Sequence, residues 1–377
     1  MSVRPRILLL SGGSGVGQSV LACLAGRRTS IRLAATTSVA DAPAVFDFDA
    51  AYLAPETRRR PDAYAARFRE VLAHFEPDLV IPCRDDDVSF LAGQRAREPA
   101  MARRFLCGDA SVAAAVLDKL ESARFSARNG LPFVPTLDAD SGFDAARRFA
   151  AEHGFPLLAK PRCGFASRGV RLILDARQLE QACAQEDYVL QKYAGDADAV
   201  RRLADDIARC GVPLFHTLED IKVSIQAGIS PGGAVTRVLA FGALGRLGRS
   251  EGLHLVDDAR LVAAATTWVE AFARAGWRGP LNIQGHRGAS GDLTIFEFNG
   301  RFTGSTAARL LLGFDEVGDA LRDWLGLMLA PAVPAPAQEV LFCPAVRALD
   351  RGKAQCLRRD GYWSAGDEAQ ATRAVEA

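Results

Sequence analysis

The sequence predicts an α/β protein: a parallel-sheet layer up to about residue 113, then a region that mixes helices with paired strands. Three observations predict it. Apolar strand-like runs at 6–10, 31–36 and 78–82 alternate with helical patterns at 17–26 and 62–75, the order of a parallel sheet with crossover helices. Residues 114–190 combine helical patterns at 117–129 and 176–184 with strand-like runs at 156–160 and 169–174. Beyond 191, helical patterns near 258–276 and 315–329 flank two neighbouring strand-like runs within 279–303.

At the N-terminus, strand 6–10 runs into GGSGVGQS. Gly12, Gly17 and Ser19 fit the G-x-x-x-x-G-K-[ST] spacing, but Gln18 replaces the lysine that would reach a nucleotide's phosphates. The glycines do not give clean G-x-G-x-x-G spacing, and no acidic ribose ligand follows RLAATT, so the segment reads as a strand-to-helix turn. An NAD-dependent oxidoreductase would rest on these glycines alone and explains nothing after residue 115. After PDLVIP, the cluster CRDDD sits at a carboxyl end of the sheet. Asp85, Asp86 and Asp87 there read either as partners of a substrate amine or as a solvated acidic loop.

The next helical pattern carries Lys119 and stops at Asn129, Gly130 and Pro132. Strand 156–160 ends at Lys160, and the loop AKPRCGFASRGV follows. Gly164 and Gly169 let backbone N–H groups approach phosphate oxygens, Ser167 adds a hydroxyl, and Lys160 and Arg168 add positive charge. YVLQKYAG is an apolar strand running into a turn, a segment type that lines adenine pockets with backbone groups. Residues 196–218 contain a helical stretch with Val200, Leu203 and Ile207 at spacings of three and four. It reads either as a cap on a substrate site or as a surface insertion.

The densest chemistry lies in GPLNIQGHRGASGDLTIFEFNGRFT, residues 279–303. Thr294, Phe296 and Phe298 alternate with Ile295, Glu297 and Asn299, so a period of two puts Glu297 and Asn299 on one face. Gln284 joins them if the two runs pair as a hairpin. Oxygen ligands of limited charge suit Mg2+ (or Mn2+) held partly by phosphates. Arg301, two residues on, brings a permanent charge to a transferring phosphoryl group or an acidic substrate. Phe302, Thr303, Gly304, Ser305 and Thr306 follow on a turn and can shape a carboxylate pocket, while helix capping explains Ser305 and Thr306 equally well. Proline-rich 330–338 reads as a linker, and the last forty residues as a small appendix.

In this order, the segments resemble the ATP-grasp superfamily, most closely the carbamoyl phosphate synthetase large-subunit-like and carboxylate-amine ligase branch, over roughly residues 5–330. The resemblance implies a Rossmann-like domain at 1–113, a small ATP-grasp lobe at 114–190 with a phosphate-covering loop, a large lobe with the metal site at 191–330, and the linker and appendix at 331–377. It implies that Lys119 and Lys160 meet ATP phosphates, that residues 164–169 close over the triphosphate, and that Gln191, Lys192 and Tyr193 form the hinge beside adenine. Glu219 is similar to the ribose-binding acid. Gln284, Glu297 and Asn299 match the Mg2+ ligands, and Arg301 matches the arginine of E-x-N-x-R. Lys192 departs from the pattern, standing where relatives usually carry an acidic residue. The implied activity is ATP-dependent activation of a small-molecule carboxylate as an acyl phosphate, captured by an amine or other nucleophile, with Arg301 and Lys160 in catalytic roles. A homodimer is compatible with it. A nucleotide-binding regulatory protein that kept the fold and lost turnover is the competing reading, with Lys192 its support.

Composition fits a soluble enzyme. The chain has 377 residues, 49% hydrophobic and 24% charged, with a net charge of +1 that supplies no field for nucleic acid or membrane. No stretch reaches the length of a membrane span, and the N-terminal apolar run is too short for a signal peptide, so the cytoplasm is expected. Eight dispersed cysteines without C-x-x-C read as reduced thiols.

Overall fold

The computed structural model describes residues 4–164, 168–212, 222–246, 249–288, 293–332, 335–343 and 346–366. Its first layer is built from mainly apolar strands, as a sheet covered on both faces requires. The chain runs β1 (Arg6–Leu10), α1 (Gly15–Cys23), β2 (Arg32–Thr37), β3 (Ala50–Leu53), α2 (Pro61–Phe75), β4 (Leu79–Pro82) and α3 (Asp85–Arg97). β1 pairs in parallel with β2 and β4, and β2 with β3. The helix after β1 begins earlier than the apolar pattern suggests, because the Ser14 hydroxyl caps the Gly17 N–H.

The acidic cluster is not a loop. Asp85, Asp86 and Asp87 form the first turn of α3, where carboxylates complement the helix dipole. Asp87 is fully buried and accepts from the Ser11 and Thr57 hydroxyls at 3.1 and 3.3 Å and from the Arg84 N–H at 3.0 Å.

Two helices, α4 (Ala110–Leu117) and α5 (Lys119–Arg128), replace the single helix read over 117–129. Asp118 breaks the run and caps α5. Then come β5 (Thr136–Asp138), α6 (Phe143–His153), β6 (Leu157–Pro161), β7 (Arg171–Ile173), α7 (Ala176–Cys183) and β8 (Tyr188–Lys192), whose strands form an antiparallel sheet in the order β5-β8-β6-β7. The segment read as inserted carries α8 (Ala197–Cys210), capped by Asp196 and with Val200 buried.

The largest sheet uses β9 (Lys222–Ile229), β10 (Val235–Arg246), β11 (Arg249–Leu255), β12 (Gly279–Arg287) and β13 (Leu293–Asn299), with α9 (Ala259–Arg274) between β11 and β12. One face of its central strands is apolar: Val223, Ile225, Leu281, Ile283 and Phe298 enter the core beneath α9 with Trp268 and Phe272. After β13 come α10 (Thr306–Leu311) and α11 (Glu316–Leu325). Ser19 on α1 donates to Gly304 O at 3.1 Å and accepts from Ala307 N at 2.8 Å, pinning this turn against the N-terminal layer.

Two later strands complete the first sheet and the largest one. β14 (Glu339–Leu341) pairs with β11, and after α12 (Arg351–Asp360) β15 (Tyr362–Ser364) pairs antiparallel with β3, giving the order β15-β3-β2-β1-β4. Trp363 is buried on that edge, with Phe46 packed edge-on to its indole. Among the described residues no helix is long and apolar enough to cross a membrane.

Candidate active site

A cleft of about 390 Å³ opens between the small antiparallel sheet and the polar face of the large one. Lys119, Lys160, Gly164, Arg168, Tyr193, Gln284, Glu297, Asn299 and Arg301 line it. Local structure explains how each side chain arrives there.

Lys119 is the first residue of α5. The Asp118 carboxylate accepts from the Leu120 and Glu121 N–H groups and receives Arg162 through both Nε (3.0 Å) and Nη2 (2.7 Å). The Lys119 N–H in turn donates to Arg162 O at 3.0 Å. A bidentate guanidinium pair is directional, so this lock fixes the start of α5 against the end of β6, which carries Lys160. Both lysines are 8% exposed.

β12 and β13 pair as the antiparallel hairpin that the alternation requires, with Gln284 opposite Glu297 and Asn282 opposite Asn299. A bulge lies between Gln284 and Gly285 in the register, where the alternation read from the sequence slips. Ile295, read on the face of Glu297, is instead buried in the core, while Phe296 lines the cleft with Lys160 Nζ 4.9 Å from its ring centre. From Glu297 onward the alternation holds.

Arg301 closes the cleft toward the N-terminal layer. Its Nε donates to Asp85 Oδ1 at 2.6 Å, its Nη1 to Phe302 O at 3.2 Å and its Nη2 to Asn299 Oδ1 at 3.5 Å. Next to it, the Thr303 hydroxyl accepts from Arg309, a guanidinium 1% exposed that also holds Thr306 and Glu316. Phe302 is buried in the core. Ser305 occupies the position before α10 without a side-chain cap, while Thr306 Oγ1 accepts the Thr303 N–H at 3.1 Å.

The hinge residues separate. Tyr193 faces the cleft, Lys192 is exposed, and Gln191 is fully buried in the small sheet, donating to Thr136 Oγ1 at 3.1 Å. Gly169 accepts the Tyr188 hydroxyl at its carbonyl at 3.1 Å. Ser167 and Glu219 lie outside the described residues. Lys222 and His286, which sequence reasoning did not select, also line the cleft, facing each other across β9 and β12. The signal for Lys222 was available: it alternates with Ser224 and Gln226 on one strand face.

Electrostatically the cleft is one-sided. Among its lining residues Lys119, Lys160, Arg168, Lys222 and Arg301 are cationic and Glu297 is the carboxylate, 3.9 Å from Lys119. Burial lowers the Lys160 ammonium to about 8; Glu297 opposes the shift, and Lys119 and Lys222 reinforce it. Such a site favours a polyanion. Its candidate metal donors are amide and carboxylate oxygens, and among the described residues no group of three or more His, Cys, Asp or Glu is arranged to hold a metal ion.

Comparison with solved structures identifies the fold. The biotin carboxylase domain of 2-oxoglutarate carboxylase from Hydrogenobacter thermophilus, solved with MgADP, ADP and bicarbonate, superimposes with a TM-score of 0.61 at 19% identity, covering 86% of this chain and 70% of that one. N5-carboxyaminoimidazole synthetase from Staphylococcus aureus, solved with ADP, gives 0.63 at 11% identity, over 90% and 81%. The chain has the ATP-grasp fold. The carboxyaminoimidazole ribonucleotide synthase of Aspergillus clavatus, complexed with ATP, gives 0.62 at 13%, over 89% and 79%. No family model matches the sequence. A pyruvate carboxylase from Staphylococcus aureus is 28% identical over 91 residues, which are 24% of this chain and 8% of that protein.

Proposed function

We propose that this chain is an ATP-dependent ligase that activates a small-molecule carboxylate as an acyl phosphate for capture by an amine or other nucleophile, releasing ADP and phosphate. The observation that carries the reading is the convergence, in one cleft, of cations from α5, β6 and the loop after it with the Gln284, Glu297, Asn299 and Arg301 set of the hairpin.

Lys119 and Lys160 neutralise phosphate oxygens from two sides, with Gly164 and Arg168 beside them on the wall of the cleft. The lock between Asp118 and Arg162 holds the two lysines in register, so charge stabilisation needs no reorganisation at the moment of transfer. Gln284, Glu297 and Asn299 fit Mg2+ because they are hard oxygen donors on one face of the β12–β13 hairpin, and a bound Mg2+ would supply further neutralisation of the phosphates. Tyr193 stands at the adenine end. The Arg301 guanidinium, held by Asp85, meets the carboxylate and then the acyl phosphate oxygens. Phosphoryl transfer of this kind runs on positioning and charge, so no His or Cys nucleophile is required.

Release of ADP from Mg-ATP, assayed across pooled carboxylic acids and amines, tests the reading. Release that depends on a pool and disappears in Glu297→Ala supports it. Absence of ATP binding, or wild-type release from Glu297→Ala, sinks it.

A further inference from the structure

A glutamine amide has two chemically opposite ends, and only its carbonyl oxygen can face a cation. For Gln284 that choice is made by a chain of hydrogen bonds that starts at the backbone. The Ile225 carbonyl on β9 can only accept. Asn282 Nδ2 donates to it at 3.2 Å and to Ser224 Oγ at 2.9 Å. With its amino group committed there, Asn282 presents Oδ1 on its other side, and Gln284 Nε2 donates to that oxygen at 3.2 Å. Asn282 is 0% exposed, so water cannot compensate an inverted amide, and the inversion would set Asn282 Oδ1 against Ile225 O. Gln284 is therefore left with Oε1 as its unassigned polar atom, on a side chain that lines the cleft directly opposite Glu297.

We infer that Asn282 is a positioning residue that turns the Gln284 oxygen toward the cation of Mg-ATP and selects an amide over a carboxylate at position 284. A glutamate there would bring two acceptor oxygens together at Asn282, which cannot turn without abandoning Ile225. The consequence is a cation site with a single negative ligand, Glu297, in a cleft whose other charged lining groups are positive. This inference rests on the Mg-ATP reading of the same site.

A double-mutant cycle on metal affinity tests it without any turnover. Mn2+ binding is followed by the electron paramagnetic resonance signal of the free ion, in the presence of a non-hydrolysable ATP analogue, for wild type, Asn282→Leu, Gln284→Glu and the double variant. Asn282→Leu weakens Mn2+ about tenfold, the lower end for loss of a ligand-orienting partner. Gln284→Glu weakens Mn2+ in the wild-type background but strengthens it in the Asn282→Leu background, where no opposed acceptor remains. Circular dichroism melts check folding, and Asn282→Ala replaces the leucine variant in the cycle if that one does not fold. If the two substitutions simply multiply, Asn282 acts as packing and the inference fails while the Mg-ATP reading stands. If the wild type binds no Mn2+ with the nucleotide, both fail.

Discussion

Arg301, two residues beyond β13, and Asp85 at the start of α3 form a 2.6 Å charge-assisted hydrogen bond, both side chains largely buried. This contact ties the N-terminal layer to the candidate reaction centre. Asp85→Ala removes the charged partner of Arg301 and leaves it only its longer bonds to Phe302 O and Asn299 Oδ1; hydrogen bonds to charged groups are worth about 1.5–3 kcal/mol, so kcat is expected to fall about 10- to 100-fold. The KM for ATP stays near wild type, because the phosphate lysines are held separately. Steady-state kinetics with the identified substrate checks the split; an equal change in both constants would point to general disruption.

Lys160 titrates near 8 in the free protein because it is buried, against an ordinary 10.5. Phosphates restore the charged form, so ATP binding between about pH 8 and 9 takes up a proton, and affinity falls as pH rises through this range. Calorimetry in buffers of different ionisation enthalpy measures the uptake, and Lys160→Met abolishes it. The folding linkage has its own sign. Between about 8 and 10.5 the unfolded chain holds the proton and the native one does not, so this group's contribution to stability rises with pH there.

Asp87 has the opposite character. Burial pushes its carboxyl up from 3.8 to about 6, against the Ser11 hydroxyl and Arg84 that favour the charged form. Between these values the native state holds a proton that the unfolded state has lost. Its destabilising effect is therefore fully present above about 6 and fades as pH falls toward 3.8. Subtracting the urea stability profile of Asp87→Asn from that of wild type should reveal a difference that changes across this window and is flat above it.

Gly300 separates Asn299 from Arg301, and a Cβ there would lie 2.3 Å from the Trp277 ring and 2.8 Å from Val116. Trp277 cannot yield, being fully buried with its Nε1 donating to Pro280 O at 3.1 Å. Gly300→Ala should lose about 1–3 kcal/mol by overpacking, read as a lower urea midpoint. It should also weaken metal-nucleotide binding, since both neighbouring side chains move with the strand. Unchanged stability would contradict the contact.

Much of the cleft could be read from sequence because its chemistry is concentrated in short segments. Period-two alternation alone placed Glu297 beside Asn299, and pairing of two adjacent runs brought in Gln284. What escaped depended on distant pairing. The facing of Lys222 and His286 requires the β9–β12 register, set across 64 residues of sequence at that pair. The bulge that swaps Ile295 for Phe296 leaves no compositional mark. Asp85, Asp86 and Asp87 were misread as a loop because their charge suggested solvent, whereas a helix start satisfies the same charge with its own N–H groups. The segment EVLFCPAVRALD reads as strand-like and holds β14, whereas the short β15 carries too few residues for periodicity to register.

The placement of β15 on β3 has a consequence during synthesis. The first sheet of the chain to emerge from the ribosome has an open edge at β3 until residues 362–364 arrive, more than three hundred residues later. At elongation speeds of roughly 5–20 residues per second, that edge waits on the order of tens of seconds or less. Throughout that interval unpaired backbone groups on a nascent sheet are available to neighbouring chains. The β3 edge of this sheet is thus sealed only by a strand made far later, and a chain cut short before residue 362 would carry that edge unprotected.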